Sequence, residues 1–330
     1  MAVLRGGAGP DWVLDEVDIP QPGAGQVLVG VRAAGVNRAD LYMLEGSYTA
    51  GAARLSTFTA GLELAGQVVA LGSGVGSWAV GDRVMGTTLG AFAGFALVDA
   101  RHLVAVPPDL TWSEAGALPV ALTTEHDALV TQGGFSAGQR VLIVGATSGV
   151  GMIGVQLAKA LGASSVIATT TSAAKVEALR SVGADVVVNT ANEDLVAAVN
   201  AASDGAGVDL ALDHIGGELF PKLLGATRLQ GTIINIGRLG GAQSTIDLDQ
   251  LAFKRLRVLG TTFSIRTAEE RAEVAAALLP EVLPALRDGR IRAVAERTFG
   301  LDQAQEAADL LRANAVVGKL VFTMPEEGDQ

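Results

Sequence analysis

Residues 140–162, RVLIVGATSGVGMIGVQLAKALG, decide the fold of this chain. An apolar run of β-formers from Arg140 meets a turn of small residues, and a helix follows whose apolar residues recur at 3.6 spacing. That order suits a bound pyrophosphate, because it brings a tight turn and a helix N-terminus to one place. In the Gly-x-Gly-x-x-Gly pattern the first glycine makes the turn, the second admits the phosphates, and the third lets helix pack on strand. Here those places fall on Ala146, Ser148 and Gly151, with Gly149 between them. Taken alone, the stretch fits either a dinucleotide site or an ordinary strand-turn-helix of any α/β domain.

Its surroundings decide between these. VIATTT (166–171), DVVVNT (185–190), VDLALDHI (208–215), GTIINIG (231–237) and RVLGTTF (257–263) read as further strands, and AKVEALRSVGA as an amphipathic helix. Nearly continuous apolar strands alternating with helices are those of a parallel sheet buried on both faces, the doubly wound Rossmann arrangement of an α/β protein. The end of the second strand selects the dinucleotide. A carboxylate there grips the ribose of NAD, but the chain has Thr170, Thr171 and Ser172, then Lys175. Hydroxyls and a cation suit the 2′-phosphate of NADPH; the competing reading is that Ser172 only caps the next helix.

Length and composition fit an enzyme of two domains. The chain has 330 residues, is 49% hydrophobic and contains 42 glycines, which is longer than one core usually serves and well away from disorder. A net charge of −11 argues against nucleic acid or an anionic membrane as partner, since both need a basic face. With no cysteine there is no disulfide framework, thiol nucleophile or cysteine-ligated metal. The start MAVLRGGAGPDW has no apolar signal core, and no window of about twenty residues is free of charge or glycine breaks. A cytoplasmic location is expected by default.

Before residue 119 the pattern changes. WVLDEVDIP, QVLVGVRAAGV, LAGQVVALG, DRVMGTT and AGFALVDARHLVAVP are short β-like runs broken by glycine and proline, which predicts an all-β, partly closed barrel over 1–118. The Rossmann domain is expected over 119–267. Residues 268–289 read as helix and KLVF (319–322) as a last strand returning to the first domain, so 268–330 completes it. PEEGDQ at the end reads as a solvated tail.

The order of GVNRADLYMLEGSY, GLELAGQVVALGSGVGSWAVGDRV, VLIVGATSGVGMIGVQLAKALGA, TTFSIRTAEER and VVGKLVF resembles the zeta-crystallin-like, zinc-independent quinone oxidoreductase branch of the medium-chain dehydrogenase/reductase superfamily. The resemblance runs over nearly the whole chain. It implies a GroES-like catalytic domain beside the Rossmann domain, NADPH as cofactor, and a homodimer joined through the edge strand RVLGTTF.

The resemblance also bears on metal. Zinc alcohol dehydrogenases of the superfamily have a catalytic cysteine at the place of Asn37, a histidine at that of Leu62, and a second cysteine near the start of the Rossmann domain. None is here, and Glu63 alone does not make the three-ligand site of catalytic zinc. His102, His126 and His214 are scattered and read as surface or packing residues. No zinc is expected. Without a Lewis acid an isolated ketone is hard to reduce, whereas a quinone or enone passes charge to a distant oxygen that hydrogen-bond donors can hold.

Two tyrosines, Tyr42 and Tyr48, fall in the segment that the resemblance places at the substrate mouth. They read either as donors and stacking faces for the acceptor or as packing residues of a loop. The resemblance further implies Asn37 on the nicotinamide side, Thr123 near the nicotinamide or its ribose, and Ser148, Gly149 and Val150 at the pyrophosphate. The turn Gly237 to Gly241, with Arg238, and the segment Thr262, Phe263 and Ser264 should flank the nicotinamide, with Asn314 closing from the C-terminal part; Ile215 and Thr190 should also bind the cofactor. Two positions depart from the pattern. Thr190 stands where many relatives carry an aromatic residue, and Ser264 with Arg266 stands where they often carry two arginines. TAGAARLSTFTAG (49–61) reads as a loop over the mouth.

Three functions stay open: NADPH-dependent quinone reduction, reduction of the carbon-carbon double bond of an enone or enoyl thioester, and NADPH binding with little turnover. A coenzyme A ester would want a basic rim, for which Arg38, Arg54 and Arg266 are sparse candidates.

Overall fold

The computed structural model describes residues 1–7, 9–46 and 57–325. Tyr48, Arg54 and most of the loop expected over the mouth lie outside the described residues. The chain divides into two compact units: Met1–Val120 with Ser264–Arg287 and Ala293–Gln330, and Ala121–Phe263 with Asp288–Arg292.

In chain order, the first unit opens with β1 (Ala2–Gly6), β2 (Val13–Glu16), β3 (Gln26–Val36), α1 (Arg38–Leu44), β4 (Phe58–Thr59) and β5 (Glu63–Leu71). β6 (Arg83–Thr87), β7 (Phe95–Asp99), β8 (Leu103–Ala105) and α2 (Trp112–Gly116) follow. α3 (Pro119–His126) leads, through a π-helical stretch Asp127–Gln132, into the second unit. That unit alternates β9 (Arg140–Val144), α4 (Gly149–Ala160), β10 (Ser165–Thr170), α5 (Val176–Ser181), β11 (Val186–Asn189) and α6 (Leu195–Ala202). It continues with β12 (Val208–Asp213), α7 (Phe220–Ala226), β13 (Thr227–Asn235), α8 (Leu248–Phe253) and β14 (Arg257–Gly260). α9 (Ala268–Arg287), β15 (Ala295–Phe299), α10 (Ala304–Arg312) and β16 (Lys319–Thr323) complete the chain and belong to the first unit.

The second unit is a parallel sheet in the order β11-β10-β9-β12-β13-β14. Val141 to Val144 and Leu210 to Leu212 are buried with no polar face, as strands covered on both sides must be. Leu142, Ile167, Val188 and Ile233 share one core with Leu195, Val199, Leu223 and Leu224 from the helices, each contributing about 1.5–3 kcal/mol when fully buried. Asp288–Arg292 joins this unit because the Gln156 amide brackets the Arg292 backbone, donating to its carbonyl at 3.0 Å and accepting from its amide at 2.9 Å. The sixth strand is shorter than its sequence suggests: Thr261 to Phe263 lie beyond β14.

The first unit carries the strand orders β2-β1-β4 and β15-β16-β3-β5-β6-β8, with β7 also on β3. β16 enters antiparallel to β3, so Leu320 faces Val36 and Phe322 faces Ala34. Trp12, Phe92 and Phe322 meet edge to face with centroids 4.8 to 6.2 Å apart, a geometry aromatic rings prefer.

Candidate active site

The candidate dinucleotide turn is built in the second unit at the carboxyl end of β9. Gly145 turns the chain with φ +76°, where a side chain would be strained. Its amide donates to the Thr169 hydroxyl at 2.9 Å, and the Ala146 amide to the Thr169 carbonyl at 3.2 Å. Ser148 caps α4: its hydroxyl accepts from the Gly151 amide at 3.1 Å and donates to the Gly145 carbonyl at 3.2 Å. A Cβ on Gly151 would stand 2.7 Å from the Ala146 Cα, so helix and turn approach only because that atom is missing. With the Ser148 hydroxyl committed to the turn, the first-turn amides of Gly149 and Val150 are the donors at a positive helix end. This arrangement fits a pyrophosphate.

At the end of β10 the Thr170 hydroxyl accepts from the Ser172 amide at 3.1 Å, so it shapes the turn. The Thr190 hydroxyl donates to the Thr170 carbonyl at 3.3 Å and joins β11 to the same corner. Ser172 precedes a short 3-10 turn, Ala173–Lys175, but its side chain makes no capping bond. Thr171 is exposed, Ser172 and Lys175 are half-buried, and the stretch has no carboxylate. These residues fit the extra phosphate of NADPH.

Asp213, buried at the end of β12, holds the next two turns together. Its Oδ1 accepts from the amides of Ile215 (2.9 Å) and Gly216 (3.0 Å), and its Oδ2 from the Asn235 amide group at 2.9 Å. Asn235 also donates to the Gly237 carbonyl at 3.1 Å. The Gly240 amide reaches the Ile215 carbonyl at 2.7 Å, and the Gly217 amide the Gly241 carbonyl at 3.1 Å. Ile215 and the turn Gly237 to Gly241 are therefore locked to each other, with Arg238 exposed. Thr123 is buried on α3. Past β14, the Thr261 hydroxyl donates to Asp127 Oδ2 at 2.9 Å, which anchors the segment leading to Thr262 and Phe263.

The first unit carries a buried polar cluster of its own. Asn37 ends β3 and starts α1; its amide group donates to Glu63 Oε1 at 2.8 Å and to the Gly35 carbonyl at 3.2 Å, and its oxygen accepts from Lys319 Nζ. Lys319 also donates to Glu63 Oε1, and Glu63 Oε2 accepts from the Val120 amide at 2.8 Å. The Asn37 backbone amide donates to Asp40 Oδ2 at 2.8 Å. Burial pushes the Asp40 carboxyl up to about 7, against the pull of the Asn37 amide and the Lys319 charge. Tyr42 is half-buried on α1. Arg38 donates to Asn314, which has a left-handed backbone with φ +51°. Asn37, Arg38, Tyr42, Asn314 and Ser264 thus share one unit.

The donor set does not fit catalytic zinc. Both Glu63 oxygens are taken by nitrogen donors, an ammonium occupies the cluster, and Leu62 offers no ligand. Among the described residues no three His, Cys, Asp or Glu side chains gather as a metal group. Sequence reasoning did not find Thr169, Asp213 or Asn235, nor Glu125 as the partner of His214.

One chain thus carries a parallel sheet with a helix-capped phosphate turn and a β-rich unit with a buried polar cluster. The alcohol dehydrogenase GroES-like domain family matches residues 23–108, and the zinc-binding dehydrogenase family residues 149–279. An alcohol dehydrogenase superfamily protein from Novosphingobium aromaticivorans is 31% identical, with 98% of this chain and 99% of that one covered and a TM-score of 0.87. A mycobacterial protein solved with NADPH is 28% identical (98% and 100% covered, TM-score 0.86), and CurK enoyl reductase 26% (98% and 99%, 0.86). Among curated proteins, the spectinabilin polyketide synthase system protein NorB of Streptomyces orinoci is 35% identical over 98% of this chain. Quinone oxidoreductase-like protein 2 of Bos taurus is 27% identical, with 94% of this chain and 89% of that protein covered. The chain spans only 14% of NorB's length, and 5% to 14% of the other polyketide synthases it matches. It belongs to the alcohol dehydrogenase, or medium-chain dehydrogenase/reductase, superfamily.

Proposed function

We propose that this protein is a zinc-independent, NADPH-dependent reductase of conjugated carbonyl acceptors, quinones first among them. The observation that carries the reading is the Asn37, Glu63 and Lys319 cluster, whose donors and acceptors are taken up by one another. When bound, NADPH supplies a hydride. Gly149 and Val150 hold its pyrophosphate, and Ser172 and Lys175 its 2′-phosphate; Ile215, Gly237 and the Thr262 to Ser264 segment border its nicotinamide. Tyr42 donates its phenolic proton toward the acceptor oxygen as negative charge gathers there, which a conjugated acceptor permits without a Lewis acid.

A second reading, reduction of an enoyl thioester, is favoured by the likeness to polyketide synthases and to CurK enoyl reductase. NADPH oxidation measured against quinones, enones, enoyl thioesters and simple alcohols separates the two. Turnover of quinones above thioesters supports the first, thioesters alone the second. Activity on simple alcohols alone, or loss of activity with removal of one zinc per chain, contradicts both.

We also propose a homodimer. β14 ends the sheet order, and α8, which precedes it in the chain, exposes Leu248 (68%) and Phe253 (81%); pairing with a second copy would cover an open apolar edge. Light scattering at micromolar concentration should give twice the mass of the chain.

A further inference from the structure

The second unit contains a buried pair that nothing in the chemistry above uses. His214, just past β12, faces two acceptors: its Nδ1 lies 2.8 Å from the Val144 carbonyl, and its Nε2 is bonded to Glu125 Oε1. A carbonyl can only accept, so Nδ1 carries a proton. Burial pushes the ring's pKa down, but the Glu125 charge and hydrogen bond, the Val144 carbonyl and the Asp213 charge outweigh it, and the net direction is up. The charged groups acting on the ring are Glu125 from α3 and Asp213 from its own strand. β9 brings the Val144 carbonyl, and the turn after β13 brings Gly237.

The pair adjoins the Gly145 turn, the Ile215 and Gly237 turns, and α4. Val144 immediately precedes the Gly145 turn. His214 immediately precedes Ile215, and its own carbonyl would stand 2.3 Å from a Cβ on Gly237. Glu125 Oε2 has no hydrogen-bond partner among the described residues and lies 2.3 Å from where a Cβ on Gly154 would be, so α4 rests on the carboxylate. α3 is fixed at this same end a second time, where it runs into the π-helical stretch and Asp127 accepts from Thr261, and such stretches are frequent at functional sites. Breaking a buried ion pair leaves a charge without its partner in a dry interior, and here the strain would fall on the phosphate turn and the Ile215 turn together.

We propose that Glu125 and His214 are positioning residues for the dinucleotide: joined as carboxylate and imidazolium, they hold these turns in their binding arrangement, and loss of the ring proton weakens NADPH affinity. The proposal rests on NADPH binding by this unit. Its sign follows from linkage: if the protonated ring favours the bound arrangement, affinity is full while the ring is charged and falls as pH rises through its titration.

The test uses the full chain. Nitrogen-15 spectra give the His214 ring charge against pH, and fluorescence titration gives the NADPH dissociation constant over the same range. We expect an imidazolium at pH 7, a constant that is flat through neutral pH, and a rise in step with ring deprotonation. Glu125→Gln should give a neutral ring at pH 7 and about tenfold weaker binding, with the Michaelis constant for NADPH raised more than turnover at saturation is lowered. A neutral ring in the wild-type protein at pH 7, or a dissociation constant that ignores the ring's titration, would overturn the proposal even if the variant does not fold. Unchanged affinity in a folded Glu125→Gln would do the same. Absence of saturable NADPH binding at every pH would overturn the cofactor reading along with it.

Discussion

Asp213 and Asn235 end neighbouring parallel strands, and the 2.9 Å hydrogen bond between their side chains couples the two turns that leave the sheet there. Asp213 also accepts from the Ile215 and Gly216 amides. Asp213→Ala would leave buried donors without acceptors, at about 1–3 kcal/mol each. We expect a lower melting temperature and a raised Michaelis constant for NADPH. Asp213→Asn should also weaken NADPH, because one oxygen gives way to an NH2 that cannot accept, and the acceptor that remains cannot serve the Ile215 and Gly216 amides and Asn235 together. Steady-state kinetics on both variants check this; an unchanged Michaelis constant would mean the turns hold their shape without the aspartate.

Cofactor choice should follow Ser172 and Lys175. Contacts to a charged group contribute about 1.5–3 kcal/mol, so NADPH should bind at least about tenfold more tightly than NADH, and Lys175→Ala should reduce that preference without affecting NADH. Binding titrations with both cofactors decide the point, and equal dissociation constants in the wild-type protein would remove it.

How much of this was legible beforehand differs by element. Strands buried on both faces announce themselves as apolar runs, so the Rossmann sheet and its phosphate turn could be read from residues 140–162 and their neighbours. Buried polar contacts have no such periodicity. Glu125 and His214 lie 89 positions apart, and only the sheet order brings them together. Thr170 reads as a phosphate donor by its place in the sequence; that its hydroxyl also accepts from the Ser172 amide is a turn contact with no sequence pattern of its own. The last strand of the sheet read as RVLGTTF, yet pairing ends at Gly260, and the Thr261 side chain turns to Asp127. Tyr48 lies outside the described residues.

The Asp40 carboxyl gives a pH signature of its own. Because burial raises it to about 7 in the folded protein, above its unfolded value, its contribution to stability is full below the unfolded pKa and is lost as pH rises through the folded one. Melting temperature should therefore fall between about pH 4 and 7, and Asp40→Asn, which keeps an acceptor for the Asn37 amide, should flatten that slope. Differential scanning across the range is the check, and equal slopes would show that the carboxyl is not protonated in the fold.

Tyr42→Phe keeps the ring and removes one donor. Turnover should drop by no more than about a hundredfold, the lower end for losing a donor to a developing oxyanion, while Tyr42→Ala should raise the Michaelis constant of the acceptor as well, since the stacking face is lost. If neither constant moves in either variant, the tyrosine is only a packing residue of α1.

The central claim is that the protein reduces conjugated acceptors without a metal, and the fate of the transferred hydrogen tests it most directly. NADPH deuterated at C4 and a cyclic enone, with the product read by NMR, locate that hydrogen atom by atom. Deuterium on the β-carbon, from one epimer of the cofactor and with the carbonyl intact, is the predicted result. Deuterium on the carbonyl carbon of an allylic alcohol would contradict it, because direct carbonyl reduction calls for a stronger stabiliser of the alkoxide than Tyr42 and its neighbours provide.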